Sequence, residues 1–407
     1  MTNRKSILRQ ARQDRKPYKR RYGKNSAAQA LAPEQFQLPV QREIDTLTTI
    51  PKLQALIKRT QDFGEIRASD RDITVERALL KKGVRLMYDF EACEIQVDIL
   101  QCIIFDKEDC IVSAKTSMGK SLPIQSAALF MRDTITLIIV PLSKIGEEQC
   151  VKIKRIGEQG GNLLTRPVFL DKDSKSKDCT LYDKIRQLKF THMLLSPELA
   201  VSDEFQSILT SPAFKARVAL VAIDEAHLVA KWGQEFRTAY AQLSYLRTRL
   251  GDTGRAPWIA CSATLDSCGL SALYSSAYFA ADTRRYRASI DRPEISYAFQ
   301  PIPKNTFCSF NSLAFTVQQA VDSASTPTPW AIPKTIIFVD SRAKTRDIMI
   351  MIRSWMARLS ARYTPYVLMK IIRNYHRNTA DRDKEQIYQA FAPVSYTHLT
   401  LPTIYSV

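Results

Sequence analysis

Paired cysteines are missing from this chain of 407 residues. Its eight cysteines, Cys93, Cys102, Cys110, Cys150, Cys179, Cys261, Cys268 and Cys308, form no C-x-x-C pair and so give no disulfide framework. Several sit in apolar runs, where a free thiol behaves as a small hydrophobe, and a reducing, intracellular compartment is the expectation. Long hydrophobic runs are missing too. The longest, Ile135 to Leu142, falls far short of the ~20 residues a helix needs to cross a bilayer. No signal peptide is visible, so no membrane partner is expected. No period of solenoid type recurs. Acidic residues are in deficit, 41 against 59 Lys and Arg, for a net charge of +18. Such a surplus implies polyanionic partners, because each cation near a phosphate releases condensed counterions. The charge is densest at the front: residues 1–24 hold ten Lys and Arg against the one acid Asp14. Tyr18 and Tyr22 interleave with Lys19, Arg20 and Arg21. That arm suits non-specific nucleic-acid binding or a nuclear-import signal, and a disordered, solvated tail serves either.

What is present is concentrated in a few strand ends. The β-branched and aliphatic run Val218 to Ile223 ends in Asp224, Glu225, Ala226 and His227. A buried parallel strand would deliver two carboxylates and an imidazole at its carboxyl end, the edge where open α/β sheets bind ligands. Asp224 would hold Mg²⁺ through its water shell, and Glu225 would orient or deprotonate an attacking water. The tetrapeptide alone reads as readily as a helix that starts with acids, favoured by the macrodipole. Its surroundings decide between the two. Upstream, Cys110 to Ser113 leads into Ala114-Lys115-Thr116-Ser117-Met118-Gly119-Lys120-Ser121. Gly119 lets backbone approach an anion, Lys120 reaches β/γ-phosphates, and Ser121 offers a hydroxyl to Mg²⁺ at a helix N-terminus. A lone Gly-Lys-Ser is weak. After an apolar strand, and followed by strand-Asp224 to His227 and strand-Ser262-Ala263-Thr264, it is strong.

With these blocks the chain resembles the superfamily 2 helicases, and among them the RecQ family of ATP-dependent DNA helicases. Gln96 lies where that family reads adenine. Ala114 to Ser121 resembles motif I, with Thr116, Gly119, Lys120 and Ser121 toward ATP. Ile139 to Ser143, ending in Gln149, resembles motif Ia, and Leu195 to Glu198 the next block. Asp224 to His227 resembles motif II, with Glu225, Asp224, Lys120 and His227 as the catalytic set and Ser121 and Asp224 toward Mg²⁺. Ser262 and Thr264 resemble motif III, which in that family senses the phosphate or DNA state; apart from the resemblance, Ser262-Ala263-Thr264 reads as strand-end capping. The discriminating piece is Trp232-Gly233-Gln234-Glu235-Phe236-Arg237, similar to the aromatic-rich loop that couples single-stranded DNA to ATP in RecQ proteins. Without that resemblance, Trp232 and Phe236 at i, i+4 read as a core-facing pair. Asp291 to Glu294, Thr335 to Arg342 and Tyr375-His376 resemble later blocks, so the resemblance covers roughly residues 75 to 392. Ser117 and Met118 stand at positions normally small in the family, and Cys93 where an arginine often precedes the glutamine.

The resemblance implies a RecA-like α/β fold, a parallel sheet with helices on both faces, with ATP and Mg²⁺ as cofactors and single-stranded and duplex DNA as partners. Alternation of elements agrees. Helices are expected near Glu76–Tyr88, after Lys120, at Lys144–Gly157 and at 238–250. Strands are expected at Ile111, Thr136–Val140, 192–195, 218–223 and 258–261. The organisation expected is a basic, largely disordered arm over 1–70 with a short helical segment around Leu53 to Arg59. A first motor domain follows over 71–285, then a linker over 286–330 and a partial second motor domain over 331–392. That last part would supply strands at 335–339 and near 366–372, a helix from Arg342 and a final helix. Val394 to Thr403 resembles a translated sequencing-library adapter, so an artefactual tail is expected over 393–407. No motif V or VI follows, and the chain by itself is expected not to unwind duplex. Two other readings stand beside 3′–5′ DNA helicase: a DNA- and nucleotide-binding module without unwinding, and a superfamily 2 RNA helicase.

Overall fold

The computed structural model describes residues 38–115, 118–159, 165–171, 174, 178–233, 238–251, 256–299, 301–302, 310–317, 335–359, 361, 363–376 and 378–391. The basic arm 1–24, the Ser/Thr/Pro-rich run 321–329 and the tail 393–407 lie outside them. The chain divides into two compact units, with the boundary between Ile290 and Asp291. Among the described residues no helix is long and apolar enough to cross a membrane.

The first unit opens with helices α1 (Gln41–Asp45), α2 (Ile50–Ile66), α3 (Ile73–Tyr88) and α4 (Glu94–Gln101). Strand β1 (Cys110–Ser113), α5 (Ser121–Phe130), β2 (Ile135–Ile139), α6 (Ser143–Gln159) and β3 (Pro167–Leu170) follow. Next come α7 (Leu181–Arg186), β4 (His192–Leu195), α8 (Pro197–Ala200), α9 (Asp203–Ile208), α10 (Pro212–Arg217) and β5 (Val218–Ile223). The unit closes with α11 (Leu228–Gly233), α12 (Leu243–Leu250), β6 (Trp258–Ser262), α13 (Ser267–Ser276) and β7 (Arg284–Arg287). The strands form one sheet in the order β3-β4-β2-β5-β6-β1-β7. Every pairing is parallel.

The strand sequences explain this sheet. β2, β4 and β6 are buried at every position, as strands covered by helices on both faces must be. Side chains alternate between the faces with period two. Val112, Ile138, Leu220 and Ile259 join Leu53, Leu79, Leu100 and Phe130 in one core. Leu137, Val221, Trp258 and Ala260 join Phe205, Phe214, Tyr240 and Leu246 in the other. Phe205 and Phe214 meet edge to face, 6.5 Å apart.

Four expectations need correction. The helix foreseen around Leu53 to Arg59 runs Ile50–Ile66, and its Ile50, Leu53 and Ile57 are core residues. The stretch from Gln41 therefore belongs to the packed first unit rather than to an arm ending at 70. β7, which no expectation placed, straddles the boundary expected at 285 between the first motor domain and the linker. Its arginines carry no apolar signal, but its backbone pairs with β1 from Cys110↔Arg284 to Ser113↔Arg287. In the second unit, residues 335–339 form no strand among the described residues. The segment near 366–372 is not a strand. It is helix α15 (Pro365–Ile371), following α14 (Arg342–Leu359) and preceding α16 (Asp381–Phe391). Thr364 caps α15 by accepting from the Val367 N–H at 3.4 Å, and Pro365 takes the first helical position, where its missing N–H costs nothing. α14 and α15 share a small core of Ile348, Ile352, Met356, Tyr363 and Leu368.

Candidate active site

The site lies at the carboxyl ends of β1, β2, β5 and β6, where the backbone is stitched between neighbouring strands. The Ala114 N–H donates to the Ser262 carbonyl at 3.1 Å, Asp224 N–H to Ile139 at 3.0 Å, and Ala226 N–H to Cys261 at 2.8 Å. These bonds fix the turns that follow the strands before any side chain is considered.

After β1 the chain passes through Lys115 to Met118 and enters α5 at Ser121. Thr116 and Ser117 lie outside the described residues. Gly119 has φ of +69°, and a Cβ built there would stand 2.2 Å from Gln96 Nε2. The positive φ favours glycine, and a Cβ would push the Gln96 amide aside. Gln96 is buried on α4, its Oε1 accepting from the Cys93 N–H at 3.0 Å and its Nε2 donating to the Met118 carbonyl at 3.4 Å. The structure thus packs Gln96 against the phosphate loop. Lys120 Nζ donates to the carbonyls of Ala114 at 2.7 Å and Lys115 at 3.0 Å. Burial lowers its pKa, while the charges of Glu225 and Asp224 act in the opposite sense.

After β5, residues 224–227 form a turn. Glu225 occupies the left-handed region at φ +50°, a conformation that costs a non-glycine residue on the order of 1–3 kcal/mol. Its N–H donates to Asp224 Oδ1 at 3.0 Å. The other carboxylate oxygen, Oδ2, accepts from Gln149 Nε2 of α6 at 2.7 Å. Burial pushes the Asp224 carboxyl up to about 6, the neighbouring Glu225 charge adds to the rise, and the Gln149 bond opposes it. His227 Nδ1 lies 3.3 Å from Glu225 Oε2 and 3.0 Å from Ser262 Oγ. Ser262 Oγ also accepts from the Thr264 N–H at 3.1 Å. Ser262 is thus engaged with the Asp224–His227 turn, while Thr264 is exposed.

Lys120, Asp224, Glu225, His227, Ser262 and Thr264 therefore share one sheet edge, with Gln96, Gly119 and Ser121 on its phosphate-loop side. Trp232 lies on α11, whereas Phe236 and Arg237 lie outside the described residues. Two participants were not assigned a role from sequence. Gln149 was only the end of a block, and Cys261 is a fully buried thiol pushed well above its usual range by burial.

The residues fit a nucleoside triphosphate with Mg²⁺. α5 has no acid in its first turn, so its positive end is left for an anion. The cradle at Gly119 would be filled by a Cβ. The nearby donors, a serine hydroxyl and carboxylates, are the hard oxygens Mg²⁺ prefers.

Residues 93–270 match the DEAD/DEAH box helicase family. That stretch is similar to a DEAD/DEAH box helicase domain, and the chain has RecQ-type relatives. It is 30% identical over 193 residues to the ATP-dependent DNA helicase RecQ of Synechocystis, covering 47% of this chain and 38% of that one. It is 30% identical over 198 residues to the mouse ATP-dependent DNA helicase Q5, covering 48% of this chain and 19% of that one. The chain thus spans less than half the length of these relatives. Among solved structures, the DUF1998 helicase MrfA bound to DNA superimposes with a TM-score of 0.56 at 15% identity, over 76% of this chain and 42% of that one. That likeness concerns the fold alone, a parallel α/β sheet of the RecA-like kind.

Proposed function

We propose that this chain acts as an ATP-dependent DNA helicase of the RecQ type, hydrolysing ATP with Mg²⁺ and moving 3′ to 5′ along one DNA strand. The observation that carries the reading is the turn after β5. It sets Asp224 and Glu225 at the sheet edge that also holds Lys120, and it ties them through His227 to Ser262. Ser121 and Asp224 would hold Mg²⁺, which would supply positive charge to offset that of the phosphates. Lys120 draws the β/γ-phosphates into the loop, Gly119 leaves room for them, and Glu225 orients water and takes its proton. Such work is electrostatic and positional, which is what phosphoryl transfer requires. The net charge of +18 supports a polyanionic track. Relatives named as DNA helicases favour DNA over RNA as that track. In this reading Trp232, Phe236 and Arg237 relay strand occupancy to the carboxylates, with aromatic rings stacking on bases.

Single-turnover ATP hydrolysis with single-stranded DNA, single-stranded RNA or neither tests the reading. DNA should accelerate hydrolysis well beyond RNA, and a duplex with a 3′ tail should open where one with a 5′ tail stays closed. Stimulation by RNA alone would transfer the chain to the RNA helicases. Stimulation by DNA with no duplex opened would leave a DNA- and nucleotide-binding module.

A further inference from the structure

The carboxylate at the centre of the site is held from outside its own turn. Asp224 Oδ1 is fixed by the backbone of Glu225, but Oδ2 is fixed by a side chain 75 residues away, Gln149 on α6, at 2.7 Å. Gln149 is 7% exposed. Its reach is set by how closely α6 lies on the sheet. One turn earlier, a Cβ on Gly146 would stand 2.3 Å from Phe169 Cδ2 of β3, so only glycine lets the helix settle there. Each carboxylate oxygen therefore has one fixed donor, and the two together set the plane of the group. A buried amide bonded to an ionised acceptor is among the stronger hydrogen bonds a protein makes. α6 also begins directly after the loop leaving β2, so any displacement of that helix reaches Asp224 through a single side chain.

We propose that Gln149 is a positioning residue: its amide holds the Asp224 carboxylate in the orientation that receives the divalent cation accompanying a nucleoside triphosphate, and it links that orientation to α6. The proposal rests on the nucleotide-site reading above. It makes a distinction that simple packing does not. Removing the amide should weaken the part of nucleotide binding that depends on the metal and spare the part that does not.

The test is titration of the full chain with a fluorescent, non-hydrolysable ATP analogue, once with Mg²⁺ and once with a chelator, for wild type and Gln149→Leu. Gln149→Met, unbranched and of similar length, is the second variant should leucine disturb packing. Thermal melting identifies the folded variant. Binding of Mn²⁺ to the protein–analogue complex, read by its electron spin resonance, is the second measurement. The metal-free affinity should stay within about twofold of wild type, while the Mg²⁺ enhancement and the Mn²⁺ affinity each fall about tenfold, as expected for loss of a charge-assisted bond. An unchanged Mg²⁺ enhancement in a folded variant would overturn the proposal. So would an equal fall with and without metal, which would make Gln149 a prop of the whole pocket. If wild type itself shows no Mg²⁺-enhanced binding, the nucleotide-site reading fails first and the proposal falls with it.

Discussion

His192 should make the first unit acid-sensitive, by an amount the structure sets. It is the first residue of β4 and fully buried. Nε2 lies 2.9 Å from the Gln125 carbonyl of α5, which can only accept, so Nε2 carries the proton. Nδ1 then accepts from the Thr191 hydroxyl at 2.9 Å, and Thr191 Oγ1 accepts from the Arg166 N–H at 2.8 Å. A neutral ring thus pins the helix behind the phosphate loop to the sheet. Burial lowers its pKa from 6.5 to about 4, with the Gln125 carbonyl opposing. The folded value lies below the unfolded one, so this group's contribution is complete above about pH 6.5 and drains away as pH falls toward 4. The full difference corresponds to about 3 kcal/mol, of which about 2 kcal/mol is lost by about pH 5. Asp224 runs the other way. Its folded value is raised from 3.8 to about 6, so its contribution is present below the lower value and lost as pH rises through the upper. A single pH profile mixes the two, and a difference between variants separates them. Gln in place of His192 keeps an amide donor for the carbonyl but does not titrate. Urea unfolding of wild type and His192→Gln, followed by tryptophan emission to which the buried Trp258 contributes, should be compared from about pH 7.5 to about pH 5. Wild type should lose about 2 kcal/mol more than the variant over that range. Parallel loss would show that the ring is protonated at little cost and that the burial argument is wrong.

Other changes have effects of known sign. Gly119→Ala places a Cβ against the Gln96 amide at positive φ, so nucleotide affinity should fall at least about tenfold with melting little changed, measured by equilibrium titration and calorimetry. Arg71→Ala strips the buried Glu76 carboxylate of its paired guanidinium, whose Nη2 bonds Oε2 at 2.7 Å, and should cost about 3 kcal/mol in urea unfolding. Glu225→Gln should bind nucleotide as wild type does and hydrolyse it about a hundredfold or more slowly, read in single-turnover assays.

The parts legible in sequence were those where a motif sits on a strand end. β5 with Asp224 to Glu225, and β1 with Gly119 to Ser121, carry both an apolar run and a chemical signature. β7 could not be read because Arg284, Arg285 and Arg287 are charged and the strand exists through backbone pairing with β1. Arg284 instead answers Asp106 at 2.6 Å and Glu108 at 2.8 Å. α15 was misread because Val367, Leu368 and Ile371 suit a strand, and the Thr364-Pro365 start signal outweighs that composition. Gln149 escaped because its partner lies 75 residues away, a separation no local pattern spans. The same holds for His227 and Ser262, whose contact depends on β5 and β6 being neighbours in the sheet.

The central claim is that the edge holding Lys120, Asp224 and Glu225 is an ATP site. It is tested most directly by equilibrium titration of wild type and Lys120→Ala with a fluorescent ATP analogue in Mg²⁺. Wild type should bind, and Lys120→Ala, having lost the cation that meets the β/γ-phosphates, should show no measurable affinity while melting as a folded protein. Equal affinity in the two proteins would contradict the phosphate-loop assignment and, with it, the helicase reading.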